Sequence, residues 1–97
     1  MTRRVVVQPD ASDDAREAAQ WYERERRGLG RRFLVELSGV IDRISANPFQ
    51  FPELEQGTRR ALLRRFPYGV YFVLEEDRAV VRAILHLHRD PDTWKRR

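Results

Sequence analysis

The spacing of the apolar residues changes once along this chain, and that change constrains the fold more than any other feature. From Ala15 to Ile44 apolar side chains recur every three or four residues, the period of helices that bury one face. From Arg59 onward they alternate or run in short β-branched stretches, which is typical of strands. Pro48 and Pro52 separate the two patterns. The chain is therefore expected to segregate helices and strands along its length.

The first predicted helix lies between Pro9 and Gly28. Asp10 or Ser12 is the expected N-cap, because short polar side chains accept the free N–H groups of a first turn. Gly28 is the expected C-terminal stop. Another element can approach this helix closely, since its apolar stripe consists mostly of alanine: Ala15, Ala18, Ala19 and Tyr22.

The second predicted helix runs from about Arg31 to Ala46, and Pro48 ends it by disfavouring helical geometry at the preceding residue. The short link "GLG" between the helices predicts an antiparallel hairpin. One stripe of this helix is strongly apolar: Phe33, Leu34, Leu37, Val40, Ile41 and Ile44.

Four strands are predicted, over residues 4–8, 59–66, 68–75 and 78–88. The segment "NPFQFPELEQGT" is expected to be a loop whose Phe49, Phe51 and Leu54 plug the end of the core. Tight links join the last three strands, so the sheet should be mainly antiparallel. We therefore predict one α+β domain over residues 1–97, with two layers: a helix hairpin on a four-stranded sheet, in the order β-α-α-β-β-β.

Strand alternation predicts which residues of the last strand face away from the helices. Val81, Ala83, Leu85 and Leu87 form one apolar row, so the opposite row should be Arg82, Ile84, His86 and His88. With Arg60 or Arg64 from the predicted strand over residues 59–66, this predicts a basic, partly aromatic surface on the open face of the sheet.

The charge distribution agrees with such a surface. Residues 59–97 carry ten basic and five acidic side chains, a net charge of +5, whereas residues 1–58 carry nine basic and ten acidic ones. A localised excess of this kind favours a phosphate-bearing or acidic protein partner, although an arginine-rich surface without a function is an equal alternative.

Composition excludes several classes of protein. The chain has no cysteine, so neither disulfides nor thiolate metal sites can form. No apolar run approaches the roughly 20 residues that a membrane span needs, and the N-terminus lacks the pattern of a signal peptide. We expect a cytoplasmic protein without a membrane association, and no motif for a nucleotide or another cofactor is present.

The stretch "HLHRDPDTW" permits two catalytic readings. A zinc site of the His-x-His-x-Asp type is disfavoured, because His86 and His88 are the only histidines and further ligands would have to be carboxylates. A metal-free ribonuclease needs a base, an acid and a cation for the phosphorane charge, which His86 and His88 with Arg82 or Arg64 could supply. A binding surface without chemistry is the remaining alternative.

Three segments together resemble the RelE/ParE toxin superfamily of bacterial type II toxin–antitoxin systems. They are "REAAQWYERERRGLGRRFLVEL" over the helix hairpin, "NPFQFPEL" after it, and "RRFPYGVYFVLEEDRAVVRAILHLHRDPDTWKRR" over the strands and the C-terminal end. The order and spacing of the three segments carry the resemblance, which extends over nearly the whole chain.

The resemblance implies a toxin that a cognate antitoxin neutralises, acting on one of two targets. ParE-like members inhibit DNA gyrase, whereas RelE-like members cut mRNA on the ribosome. The RelE-like alternative would use Arg64, Arg82 and His86, but the only lysine is Lys95 and no tyrosine follows Tyr71. The segment "FPY" followed by the ending "HLHRDPDTW" is more similar to ParE-like members and so favours the gyrase target, for which no catalytic residue is expected.

The ParE-like reading predicts that contacts to the target come from basic residues in the second half of the chain. It is compatible with a homodimer or with a toxin–antitoxin hetero-oligomer, and it implies no metal. The predicted target-binding residues are Arg60, Arg64, Arg65, Arg82, His88, Arg89 and Lys95, with the adjoining Arg96 and Arg97.

Overall fold

The computed structural model describes residues 2–97, in which two helices pack against one face of a five-stranded sheet. The predicted α+β class and helix hairpin are confirmed, but the sheet has one strand more than predicted. In chain order the elements are β1 (Arg4–Val7), α1 (Pro9–Glu25), α2 (Leu29–Ala46), β2 (Glu53–Glu55), β3 (Thr58–Leu62), β4 (Tyr68–Glu75) and β5 (Arg78–His86). Short 3-10 turns follow α2 at Pro48–Gln50 and close the chain at Thr93–Arg96.

The strands lie in the order β1-β5-β4-β3-β2. β2, β3, β4 and β5 pair antiparallel with their neighbours, while β1 runs parallel to β5, so the sheet is mainly antiparallel as predicted. The additional strand β2 has three residues, all exposed, and pairs only with β3 at the sheet edge. The segment that contains it was predicted to be loop throughout.

The helix ends differ from the prediction. α1 begins at Pro9 with Gln8 at the N-cap position and no side-chain cap, so neither Asp10 nor Ser12 fills that role. Proline suits the first helical position because its φ is already helical and it has no N–H to satisfy. Gly28 does not end α1, which stops at Glu25; with φ of 87° it is instead the N-cap of α2.

Glu23 of α1 supplies the N-terminal cap of α2. Its carboxylate accepts the N–H of Gly28 at 2.9 Å and that of Gly30 at 3.1 Å. These are N–H groups that a helix start leaves without an intrahelical partner. The two helices also come into close contact at Gly30, because a Cβ at this position would lie 2.4 Å from the carbonyl oxygen of Ala19.

Four aromatic rings form the centre of the core between helices and sheet. Phe33 of α2, fully buried, lies with its ring centroid 5.6 Å from that of Tyr22, 5.2 Å from that of Phe66 and 5.1 Å from that of Tyr68. Of the three residues predicted to plug the end of the core, only Phe51 is buried. Phe49 is 59% exposed and Leu54 is 36% exposed, so that part of the prediction is wrong.

A β-bulge at Arg82 changes which residues of β5 face the helices. Phe72 pairs with Val81 and Tyr71 pairs with Ala83, which leaves Arg82 as an extra residue in β5. The side-chain alternation therefore resets after Arg82. Val81 and Ile84 both join the core beneath the helices, whereas Ala83 and Leu85 join a second small cluster on the opposite face.

The bulge overturns the predicted face of His86. His86 pairs with Tyr68, and directly paired residues point to the same face of a sheet. Tyr68 packs against Tyr22 and Phe33 of the helices, so His86 lies on the helix-bearing face rather than the open one. The physical cause is the extra residue at the bulge, Arg82, because a strict alternation along β5 does not allow for it.

Candidate functional site

The face of the sheet opposite the helices, hereafter the open face, is centred on Tyr71 of β4. The register places Arg60 of β3 on one side of Tyr71 and Ala83 of β5 on the other. Arg60 extends over Gly69, where a Cβ would lie 3.1 Å from the Cγ and Cδ atoms of the arginine. The missing side chain of Gly69 therefore lets the Arg60 stem lie flat across β4.

Arg60 and Arg82 bring two positive charges to the open face. Arg82 lines a small cavity there together with Tyr71. Within residues 2–97 the buried Nε atoms of both arginines have no hydrogen-bond partner, and neither guanidinium takes part in an ion pair with a carboxylate. Guanidinium groups in this state can bind phosphate or carboxylate groups of a partner.

The C-terminal segment, Thr93–Arg97, lies over part of the open face. The ring of Trp94 stacks on that of Tyr71, with 5.5 Å between centroids and 12° between planes. This stack attaches the tail to the body of the domain. Lys95, a predicted target contact, lies 3.4 Å from a carboxylate oxygen of Asp92 and 3.6 Å from one of Glu55.

His86 lies in a different pocket, at the end of β5 beside α1. Its Nδ1 accepts the backbone N–H groups of His88 at 3.1 Å and Arg89 at 3.2 Å, so the ring proton resides on Nε2. Burial lowers the pKa of His86 below its usual value of 6.5, and the charges of Arg89 and His88 lower it further. The imidazole is therefore held neutral near pH 7.

Tyr68 and Arg89 complete this pocket next to His86. The Tyr68 ring packs edge-on against the imidazole, with 5.3 Å between centroids, and its hydroxyl accepts an N–H of Arg89 at 3.3 Å. Burial raises the pKa of Tyr68, and the Arg89 charge partly opposes that rise. The Arg89 guanidinium also lies 5.2 Å from the ring centroid of Trp21 in α1. The pocket thus presents a neutral imidazole and a neutral phenol beside the Arg89 guanidinium.

Arg64 and Arg65 occupy a third location, the connection between β3 and β4. Their backbone N–H groups donate to the carboxylate of Glu36 in α2, and their side chains are exposed. The three residues predicted for a ribonuclease thus line three separate cavities: Arg64 with Glu36, Arg82 with Tyr71, and His86 with Tyr68. They are not brought together as one catalytic set.

A shallow apolar groove runs along the helix hairpin. Leu34 and Val35 of α2 form its floor on one side and remain 45% and 61% exposed. Arg16 of α1 and Arg31 of α2 lie at its rim. Apolar side chains of this size in one exposed groove are typical of a surface that another protein covers.

The part of the chain that the structure describes contains no group of three or more His, Cys, Asp or Glu side chains that could hold a metal ion. Nor is any helix in residues 2–97 long and apolar enough to cross a membrane.

Comparison with known families decides what kind of protein carries these surfaces. The profile of the family described as "ParE toxin of type II toxin-antitoxin system, parDE" matches residues 5–91. The chain belongs to the ParE toxin family. Comparison with curated protein sequences finds no match for this ParE-family protein.

Solved structures agree with the family at the level of the fold. A chain of the chromosomal ParDE toxin–antitoxin system from P. aeruginosa superposes with a TM-score of 0.78 at 13% identity, covering 88% of this chain and 96% of that one. A chain of the toxin–antitoxin complex RelBE2 from Mycobacterium tuberculosis superposes with a TM-score of 0.63 at 15% identity, covering 89% of this chain and 99% of that one. The ParE-family chain thus shares its fold with a chain of a ParDE system and a chain of a RelBE2 complex.

The predicted target-binding residues of this ParE-family protein fall into separate groups rather than one row. Arg60 and Arg82 share the open face, and Lys95 of the C-terminal segment lines the same cavity there as Arg82. The remaining residues lie elsewhere: Arg64 and Arg65 beside α2, and His88 and Arg89 after β5. Sequence reasoning did not single out Tyr71 as the centre of the open face. Tyr71 lies between Val70 and Phe72 in β4, and the alternation of faces along a strand would have placed it on the opposite face from these two residues.

Proposed function

We propose that this ParE-family protein inhibits DNA gyrase and that a cognate antitoxin neutralises it by covering the surfaces through which it acts. The observation that carries the proposal is the match to the ParE toxin profile over residues 5–91. ParE-like members of the superfamily act on gyrase, and we therefore propose a cytoplasmic site of action.

The arrangement of the basic residues supports contact with a large target rather than catalysis. Arg60 and Arg82 present charges on the open face that no carboxylate within residues 2–97 neutralises. A protein–DNA complex such as gyrase with cleaved DNA offers phosphates and carboxylates in number, and several separated cations suit a broad contact of this kind better than one small substrate.

The antitoxin is the second partner in the proposal. The exposed Leu34 and Val35 suit the apolar face of an amphipathic segment, and the rim residues Arg16 and Arg31 favour acidic residues in that segment. An acidic continuation would also cover the basic region of residues 59–97. Without the antitoxin, the same groove favours self-association, so we expect a homodimer at high concentration.

A RelE-like, ribosome-dependent mRNA endonuclease is the alternative, and one specific observation favours it. His86, held neutral beside Tyr68 and Arg89, has the protonation state of a general base. Against it, neither Arg64 nor Arg82 lines the pocket of His86, so the cation for phosphorane charge would have to be Arg89 or Arg24, which do line it.

One experiment separates the two targets. Purified protein is added to a gyrase supercoiling and DNA-cleavage assay and, in parallel, to a translating ribosome system with labelled mRNA. We expect lost supercoiling or accumulated cleaved DNA with intact message. Codon-positioned cuts in the mRNA that disappear in a His86→Ala variant, together with unaffected gyrase, would overturn the proposal.

Variants test which surface carries the inhibition. The double variant Arg60→Ala/Arg82→Ala should weaken gyrase inhibition by about tenfold or more, because each removes a guanidinium from the contact. Arg26→Ala/Arg27→Ala is the matched control, since both are exposed arginines in the link between α1 and α2 and the same number of charges is removed. An equal loss in both would show that net charge, rather than the open face, governs inhibition.

A pull-down tests the antitoxin surface. The bait is this protein, and the probe is the product of a short acidic reading frame adjacent to its gene. Val35→Asp should abolish capture, because it places a charge in the apolar groove facing an acidic partner. Asp42→Ala, an exposed position of the same helix outside the groove, should capture normally.

A further inference from the structure

We propose that the C-terminal segment, Thr93–Arg97, is a strap that covers part of the open face and must lift before the target can bind. The inference rests on the proposed function, because it assigns a regulatory role to a segment that lies on the target-binding surface.

The first attachment of the strap is aromatic. Tyr71 points away from the helices, yet it is only 1% exposed, because the stacked ring of Trp94 lies over it. The indole N–H of Trp94 donates to the carbonyl of Pro91 at 3.0 Å, within the same tail. Trp94 is therefore held to the sheet by ring contact and not by a hydrogen bond of its indole.

The second attachment is a charged pair at the free edge of β5. β1 pairs with β5 only as far as Val81, so the next backbone groups of β5 have no strand beside them on that side. Arg97 donates to the carbonyl of Arg82 at 3.3 Å, and the carboxylate of Asp14 accepts the N–H of Ile84 at 3.0 Å. The Arg97–Asp14 ion pair, which includes a second contact of 3.1 Å, thus occupies the place of a strand partner.

The strap can leave without disturbing the sheet. Its backbone hydrogen bonds run from Lys95 to Asp92 and from Arg97 to Trp94, inside the tail itself. Among residues 2–97 no backbone hydrogen bond joins the strap to a strand, so its attachments are made by side chains alone. Release of the segment requires breaking the stack, the Arg97–Asp14 ion pair and two longer contacts, Lys95 to Glu55 at 3.6 Å and Arg97 to Asp10 at 3.9 Å, while β5 keeps its pairing to β4.

Lifting the strap would enlarge the cationic surface. Trp94 and Arg97 line the same cavity as Tyr71 and Arg82, so their departure uncovers an aromatic ring beside a guanidinium. A partner could then place an apolar group on Tyr71 and an anionic group on Arg82. In the closed state the tail occupies that position, and only the released fraction of the protein is competent to bind.

The position of the strap can be measured by tryptophan quenching. In a Trp21→Phe background Trp94 is the single tryptophan, and acrylamide quenching reports its exposure. Asp14→Asn removes the closer of the two carboxylate charges that pair with Arg97, the other being Asp10 at 3.9 Å, but keeps an oxygen for the N–H of Ile84. We expect stronger quenching in Asp14→Asn, and no change in Asp13→Asn, whose exposed carboxylate pairs only with Arg16. Equal quenching of Trp94 in Asp14→Asn and Asp13→Asn would contradict the strap proposal.

The functional role of the strap is measured by the potency of inhibition in the gyrase assay, in proteins that retain Trp21. We expect Asp14→Asn and Arg97→Gln each to lower the concentration for half-inhibition by about tenfold, because one hydrogen-bonded charge shifts an equilibrium constant by roughly that factor. Asp13→Asn should match the wild type. Arg97→Gln leaves Asp14 and its hydrogen bond to β5 in place. It therefore shows whether a change in potency of Asp14→Asn could come from a folding defect instead of release of the strap.

The two proposals fail in different ways. A wild type that leaves gyrase unaffected contradicts the proposed function, whatever the quenching shows. If the wild-type protein inhibits gyrase but Asp14→Asn and Arg97→Gln inhibit it equally or less strongly, the strap proposal is contradicted. This holds even if Trp94 becomes more accessible in those variants.

Discussion

Replacing Gly30 by alanine tests how closely the two helices approach. An added Cβ would lie 2.4 Å from the carbonyl oxygen of Ala19 and 3.1 Å from two atoms of Glu23. The carbonyl belongs to helix backbone and cannot move alone. An ordinary C···O contact is about 3.3 Å, so the helices must separate by roughly 1 Å.

The expected cost follows from that displacement. Overpacking of a close contact destabilises by about 1–3 kcal/mol. Separation also lengthens the bond from the Gly30 N–H to Glu23, and alanine recovers part of the loss through its helix propensity. We expect a net loss of about 1–2 kcal/mol in the free energy of unfolding, which lowers Tm by roughly 5–15 °C for a domain of this size.

Gly39 provides a matched control on the same helix. It is exposed, and a Cβ there would meet nothing within 4 Å. Gly39→Ala should therefore stabilise the protein by about 0.5–1 kcal/mol, since glycine is unfavourable inside a helix. Urea unfolding followed by far-UV circular dichroism measures both variants. If Gly30→Ala proves as stable as Gly39→Ala, the helices do not meet as closely as described and the reasoning is wrong.

Three further predictions use the same unfolding measurement. Phe33→Ala should cost about 3–5 kcal/mol, because Phe33 is fully buried among aromatic rings, whereas Phe49→Ala at a 59% exposed position should cost less than about 1 kcal/mol. Glu36→Ala should cost about 1–2 kcal/mol, because its carboxylate accepts the backbone N–H groups of the link between β3 and β4; an unchanged stability would contradict that role. The lowered pKa of His86 means that unfolding takes up a proton below about pH 6.5, so stability should fall as the pH drops from there. His86→Gln should lose that part of the pH dependence, and an identical pH profile in both proteins would argue against the shift.

Local periodicity was sufficient to predict the helix hairpin and the longest strands. The apolar stripe of α2 required a helix up to Ala46, and the β-branched and aromatic run of β4 gave its bounds, Tyr68–Glu75, correctly. In these segments the side chains that face the core recur at the period of the element itself, so neighbours in sequence contain the necessary information.

The features that the sequence did not reveal depend on contacts between distant residues. The bulge at Arg82 arises from the register of β5 against β4, and its single extra residue moved His86 to the other face. The ion pair between Asp14 and Arg97 joins residues 83 positions apart, so no local pattern indicates it. The strand β2 has only three residues, all exposed, and its existence depends on pairing with β3.

The carboxylate of Glu23 links the formation of one helix to that of the other. It belongs to α1 but satisfies the first N–H groups of α2, so α2 has its N-terminal cap only when α1 is already helical and docked. A peptide of residues 29–46 should accordingly be less helical than the same residues within a peptide of residues 9–46. In folding, the hairpin is therefore expected to form as one cooperative unit, with the link at Gly28 closing before α2 is stable.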